Sequence, residues 1–122
     1  AITVLKNGNI FNGLDADVLE NQTILIEDGI IRDIAERIRH PDNASIIDAG
    51  GKIIMPGLID AHFHAYASKV NLAAVDSMPA PLRVLHAARI LEETLLRGYT
   101  TIRDAAGGDI GLKLAIDQGL IK

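Results

Sequence analysis

Gly50-Gly51-Lys52-Ile53-Ile54-Met55-Pro56-Gly57-Leu58-Ile59-Asp60-Ala61-His62-Phe63-His64 is the stretch on which the reading of this chain turns. A Pro-Gly turn separates two apolar runs, and the second, Leu58–His64, reads as a strand buried on both faces, as strands of parallel sheets are. Side chains alternate along a strand, so Leu58, Asp60, His62 and His64 are expected on one face and Ile59, Ala61 and Phe63 on the other. Two imidazoles then stand side by side at the carboxyl end of the strand, where parallel α/β enzymes carry their chemistry. Imidazole nitrogen is a common ligand of zinc, and two imidazoles on a rigid strand make half of a tetrahedral site. The bland alternative is two histidines bonded to water or backbone, because a two-residue spacing alone arises readily by chance.

Downstream of this stretch the pattern is helical. Leu82, Leu85, Ala88, Leu91 and Leu95 make one apolar stripe after Pro81, with Arg83, His86, Arg89, Glu93 and Arg97 on the other side and Gly98 placed to end the helix. Thr100-Thr101-Ile102 reads as a second strand, Ala106-Gly107-Gly108 as a loop, and Asp109 as the cap of a last helix from about Ile110 to Gln118. The order strand, helix, strand, helix predicts parallel βαβ units. Upstream, short β-branched runs alternate with Asn7-Gly8, Asn12-Gly13 and Asp28-Gly29, which predicts a small antiparallel meander whose clearest hairpin joins Thr23–Ile26 to Ile30–Ile34.

Composition excludes several classes. Among 122 residues, 12 Lys and Arg face 16 Asp and Glu, a net charge of −4, so no basic surface is available for nucleic acid or anionic lipid. There is no cysteine, so a metal would be held by His and carboxylates. Aliphatic residues must build the core, since only 3% of the chain is aromatic. No apolar run reaches the roughly 18 residues of a membrane span, and no basic or apolar leader opens the chain, so the reading is a cytoplasmic protein.

The quoted stretch resembles closely the signature of the amidohydrolase superfamily, in its Pro-Gly-x-x-Asp-x-His-x-His part above all. The resemblance extends to the Asn-Gly turns and Glu-Asp-Gly hairpin before it and to Gly98-Tyr99-Thr100-Thr101-Ile102-Arg103-Asp104 after it, and is strongest to imidazolonepropionase-like and Xaa-Pro dipeptidase-like members. It implies an α/β fold: residues 1–52 as part of a small β-sandwich, and residues 53–122 as the first two βα units of a (β/α)8 barrel. A barrel needs about 250 residues, so this chain is too short to close one and is expected to be the N-terminal part of a longer enzyme.

The resemblance further implies a metal-dependent hydrolase in which His62 and His64 bind a divalent metal, zinc foremost, with one or two ions in the complete site. A carboxylated lysine, two further histidines and a catalytic aspartate would come from later strands or a second chain, so no catalytic acid or base is assigned here. Asp60 is expected either to orient a ligand or to serve as a structural turn residue. Tyr66 lies on the loop after the histidines and Arg103 ends the second strand, where each could touch substrate. For Arg103 and Asp104 the competing reading is an ion pair within the chain.

The reaction expected is hydrolysis of a C–N bond, an amide in a dipeptide such as Xaa-Pro or in an N-acyl amino acid, by a metal-activated hydroxide. Deaminase or cyclic-amide hydrolase chemistry competes, and a non-catalytic scaffold or inactive fragment is the reading from a different class. A small-molecule substrate is the expected partner, with a homo-oligomer compatible with the family.

Overall fold

β1 (Ile2–Ile10) is the central strand of the first unit of the computed structural model, which describes residues 1–122. β2 (Leu19–Glu27) and β3 (Ile30–Ala35) extend one side antiparallel, in the order β3-β2-β1-β4. The expected antiparallel meander is therefore present in β1 to β3, and β4 (Ser45–Asp48) and β5 (Ile53–Ile54) add to it in parallel with β1, which makes the sheet mixed. Alternation along β1 and β2 buries Val4, Ile10 and Ile24 in the core of this unit.

Asp28-Gly29 makes the expected hairpin turn, with φ of 51° and 80°. Positive φ at both central residues is the two-residue turn whose twist matches the flanking strands. Asn7-Gly8, by contrast, is no turn: it lies inside β1, where the register slips between Leu5 and Gly8. Asn7 takes φ 55° and its Nδ2 donates to Asp48 Oδ1 at 3.0 Å, so the carboxamide ties β1 to the end of β4 across the bulge. Tertiary pairing has overridden the local turn signal.

The chain divides into Ala1–Pro56 and Gly57–Lys122. Residues 53 and 54, read above with the second region, bond to β1: Asn9 N donates to Lys52 O and Phe11 N to Ile54 O, each at 2.9 Å.

The second unit runs β6 (Leu58–Phe63), α1 (Leu72–Asp76), α2 (Ala80–Leu96), β7 (Tyr99–Asp104), α3 (Ile110–Asp117). β6 and β7 are parallel, which gives the α/β order the sequence predicts, with the short α1 as an addition no periodicity announced. Gly57 opens β6 against Thr100: a Cβ at position 57 would stand 2.6 Å from the Thr100 Cβ, so only hydrogen fits. Asp109 caps α3 by accepting from Gly111 N, as expected.

The buried face of α2 matches the expected stripe only at Ala88 and Leu91. Ala87, Leu91 and Thr94 face the core, whereas Leu82, Leu85 and Leu95 are exposed. Thr94 is admitted because its hydroxyl donates back to Ile90 O at 2.7 Å, which satisfies the one polar atom it buries. Leu91 joins Ala65, Ala87, Leu112 and Ile121, with Phe63, Tyr66 and Ile102 packed against them. The sheet has only two strands, so Leu58 and Ile59 of β6 are exposed rather than buried on both faces. No helix is long and apolar enough to cross a membrane.

Candidate metal centre

His62 is the last residue but one of β6, and His64 is the first residue beyond the strand. The strict alternation expected along Leu58–His64 does not run through, because the β6–β7 register slips between Asp60 and Phe63. The two imidazoles are neighbours all the same: their ring centroids are 5.0 Å apart and the rings meet edge-on at 77°. Both residues are exposed.

His64 is held by its ring. Nδ1 lies 3.0 Å from Ala106 O, and a carbonyl can only accept, so Nδ1 carries the proton. In the neutral ring Nε2 then keeps the lone pair that a metal would take. That is the arrangement by which a protein fixes tautomer and ring plane of a metal-binding histidine.

The loop carrying Ala106 is held in turn by Asp104. One oxygen of this half-buried carboxylate accepts from Ala106 N and from Gly108 N, each at 3.1 Å, while the other accepts from Ala65 N at 2.8 Å. The ion pair between Arg103 and Asp104 weighed from sequence is thus absent: Asp104 spends its charge on backbone amides, and Arg103 is exposed without a carboxylate partner. Sequence reading passed over this role, although Asp before Ala-Ala-Gly-Gly is a signal for a side chain folding back onto its own loop.

Asp60, half-buried, accepts from His62 N at 3.0 Å and so braces the backbone of the first histidine. Tyr66 donates its hydroxyl to Asp109 Oδ2 at 3.1 Å, and the Arg83 guanidinium lies 5.5 Å from the centre of its ring. Burial first, and the hydrogen bond to Asp109 second, push the Tyr66 hydroxyl above its ordinary pKa, so it stays protonated at neutral pH. Beside His64 a cleft opens whose wall includes Tyr66, Leu72 and Val75.

The donor set suits a divalent cation in kind, with two imidazoles and one oriented through its Nδ1, and falls short in number. No group of three or more His, Cys, Asp or Glu stands together. His40 and His86 take no part: His40 Nδ1 meets Pro41 O beside it, and His86 lies on α2.

No family model matches the chain. Among solved structures, one described as an amidohydrolase is 40% identical, with a TM-score of 0.92 over all of this chain and 30% of its own. A second, described as a prolidase complexed with N-methylphosphonate-L-proline, is 38% identical with a TM-score of 0.89, again over all of this chain and 30% of its own. A 5-methylthioadenosine/S-adenosylhomocysteine deaminase of Pyrococcus furiosus is 41% identical over 61 residues, half of this chain and 14% of that protein. The chain thus spans under a third of the length of the relatives it matches.

Proposed function

This chain belongs to the amidohydrolase superfamily, and on that premise we propose that it supplies the first two metal ligands, His62 and His64, of an enzyme that hydrolyses a C–N bond. The observation that carries this reading is the imidazole pair with one ring held: His64 donates through Nδ1 to Ala106 O, which leaves its Nε2 as the atom available to a metal. A bound divalent ion, zinc foremost, would supply a Lewis acid and an acidified water. The chain's own residues do the positioning. Asp60 steadies the His62 backbone, and the protonated Tyr66 is committed to Asp109 and so frames the cleft rather than acting as a base. The unpaired Arg103 guanidinium suits a substrate carboxylate.

The substrate class we propose is a dipeptide such as Xaa-Pro, or an N-acyl amino acid, on the strength of the 38% identity to a prolidase over the whole of this chain. Deamination is the second reading, supported by the deaminase relative, whose match covers half of this chain. The remaining ligands and the rest of a (β/α)8 barrel would come from residues beyond these 122.

The test is His62→Ala and His64→Ala in the full-length protein, with bound metal and hydrolysis of a panel of Xaa-Pro dipeptides, N-acyl amino acids and aminopurines followed together. Each variant should lose metal and turnover in parallel. Full metal occupancy with normal turnover in both overturns the assignment.

A further inference from the structure

Asp104, His64 and the loop between β7 and α3 form a closed circuit. Asp104 Oδ2 accepts from the amide of Ala65, the residue peptide-bonded to His64. Asp104 Oδ1 accepts from the amide of Ala106 and from that of Gly108. The carbonyl of the same Ala106 receives the His64 Nδ1 proton. One carboxylate thus fixes both the backbone that carries the imidazole and the acceptor that sets its plane. Each bond is 2.8 to 3.1 Å, and the three that end on Asp104 have a charged acceptor, which about doubles the strength of such bonds over neutral ones.

Gly108 comes so close that a Cβ there would stand 2.6 Å from Asp104 Oδ2, so the loop closes over the carboxylate only because position 108 has no side chain. The loop lacks a ladder partner of its own, and Ala105 N to Phe63 O at 2.8 Å is the last strand-like bond before it. Beyond that point the carboxylate replaces the sheet as the holder of the backbone.

We infer that Asp104 is the positioning residue of the metal centre: it sets the direction of the His64 Nε2 lone pair by clamping Ala65 and Ala106 at once. This rests on the reading of His62 and His64 as metal ligands, and a lost brace of this kind typically weakens metal binding 10- to 100-fold.

The experiment uses the full-length protein and measures zinc dissociation by chelator competition, with thermal melting in parallel. His62→Ala tests the underlying reading alone. Asp104→Asn keeps the size of the side chain but puts an amide in place of one accepting oxygen, and Gly108→Ala keeps the charge while forcing the carboxylate aside. Both are expected to hold zinc about 10- to 100-fold more weakly than the parent at temperatures where they remain folded. Because Gly108→Ala retains the negative charge, a weakening shared by both variants comes from geometry rather than from lost attraction to a cation. If Asp104→Asn does not fold, Gly108→Ala decides. Should His62→Ala lose zinc while the folded Asp104 and Gly108 variants bind it like the parent, the clamp is refuted and the metal reading stands. Retention of zinc by His62→Ala removes the premise itself.

Discussion

The two units use the same polar side chains to different ends. In residues 1–56 the carboxamides and carboxylates reinforce strands that a ladder already holds: Asn7 meets Asp48 beside the β1–β4 pairing, and Asn9 receives Asn21 N and donates to Gly51 O within the same sheet. In residues 57–122 the sheet has two strands, and Asp104 and Asp109 hold backbone that no ladder reaches. A polar contact in the first unit therefore adds to a ladder beside it, and its counterpart in the second holds backbone outside one. The same contrast holds for glycines at close approaches. Gly8 sits under the flexible end of the Ile54 side chain, whereas Gly57 sits against the β-branch of Thr100 on a neighbouring strand.

The sharpest break of this comparison is at those glycines. Gly57→Ala must push Thr100 and its strand aside and should lose about 3 kcal/mol, whereas Gly8→Ala, where Ile54 can turn away, should lose about 1 kcal/mol. Urea unfolding of the two variants measures both, and equal losses would remove the distinction. Next in size is Asp109→Ala. It deletes the α3 cap and the Tyr66 acceptor together, for about 1 kcal/mol or somewhat more, against a few tenths for Asn12→Ala in the exposed loop after β1. Melting temperatures of the pair decide whether the second unit leans more on its polar contacts.

The smallest effect is on pH. Asp48 is held below the usual carboxylate value, first by the amide of Gly50 and then by Asn7, so its contribution is present above its unfolded pKa and lost as pH falls through the folded one. Tyr66 is shifted up, first by burial and then by Asp109; its contribution is present below the ordinary tyrosine value and lost as pH rises through the folded one. The acid limb of stability should therefore respond to Asp48→Asn and the alkaline limb to Tyr66→Phe. Urea midpoints across pH test the assignment, and a response on the opposite limb would refute it.

The elements were legible where one residue decides a backbone conformation. Asp28-Gly29 fixed a hairpin, Asp109 a cap, and Gly98, at φ 96°, the end of α2. What failed did so through long-range pairing. Asn7-Gly8 carries the letters of a turn, but β4 and Asp48 recruit it into a bulge. The stripe on α2 holds at Ala88 and Leu91 and fails at Leu82, Leu85 and Leu95, because a count of leucines outweighs one threonine whose hydroxyl is satisfied within its own helix. The histidine pair was visible as a spacing, and its two neighbouring rings are found in the structure. The Asp104 clamp is legible only in its local half, as an Asp ahead of Ala-Ala-Gly-Gly; its bond to Ala65 N and that of His64 to Ala106 O join residues about 40 positions apart through backbone atoms that no side-chain pattern reports.

The bond from Asn7 Nδ2 to Asp48 Oδ1 also gives the first unit a chemical age. Asn-Gly is the dipeptide most prone to lose its side-chain amide to water through a cyclic imide, and Asn7 is followed by Gly8. Once that nitrogen leaves as ammonia, the donor at the end of β4 becomes an acid facing an acid. A stored sample then acquires one more negative charge and a repulsion where the strands had been stitched together, without any change in the genetic message.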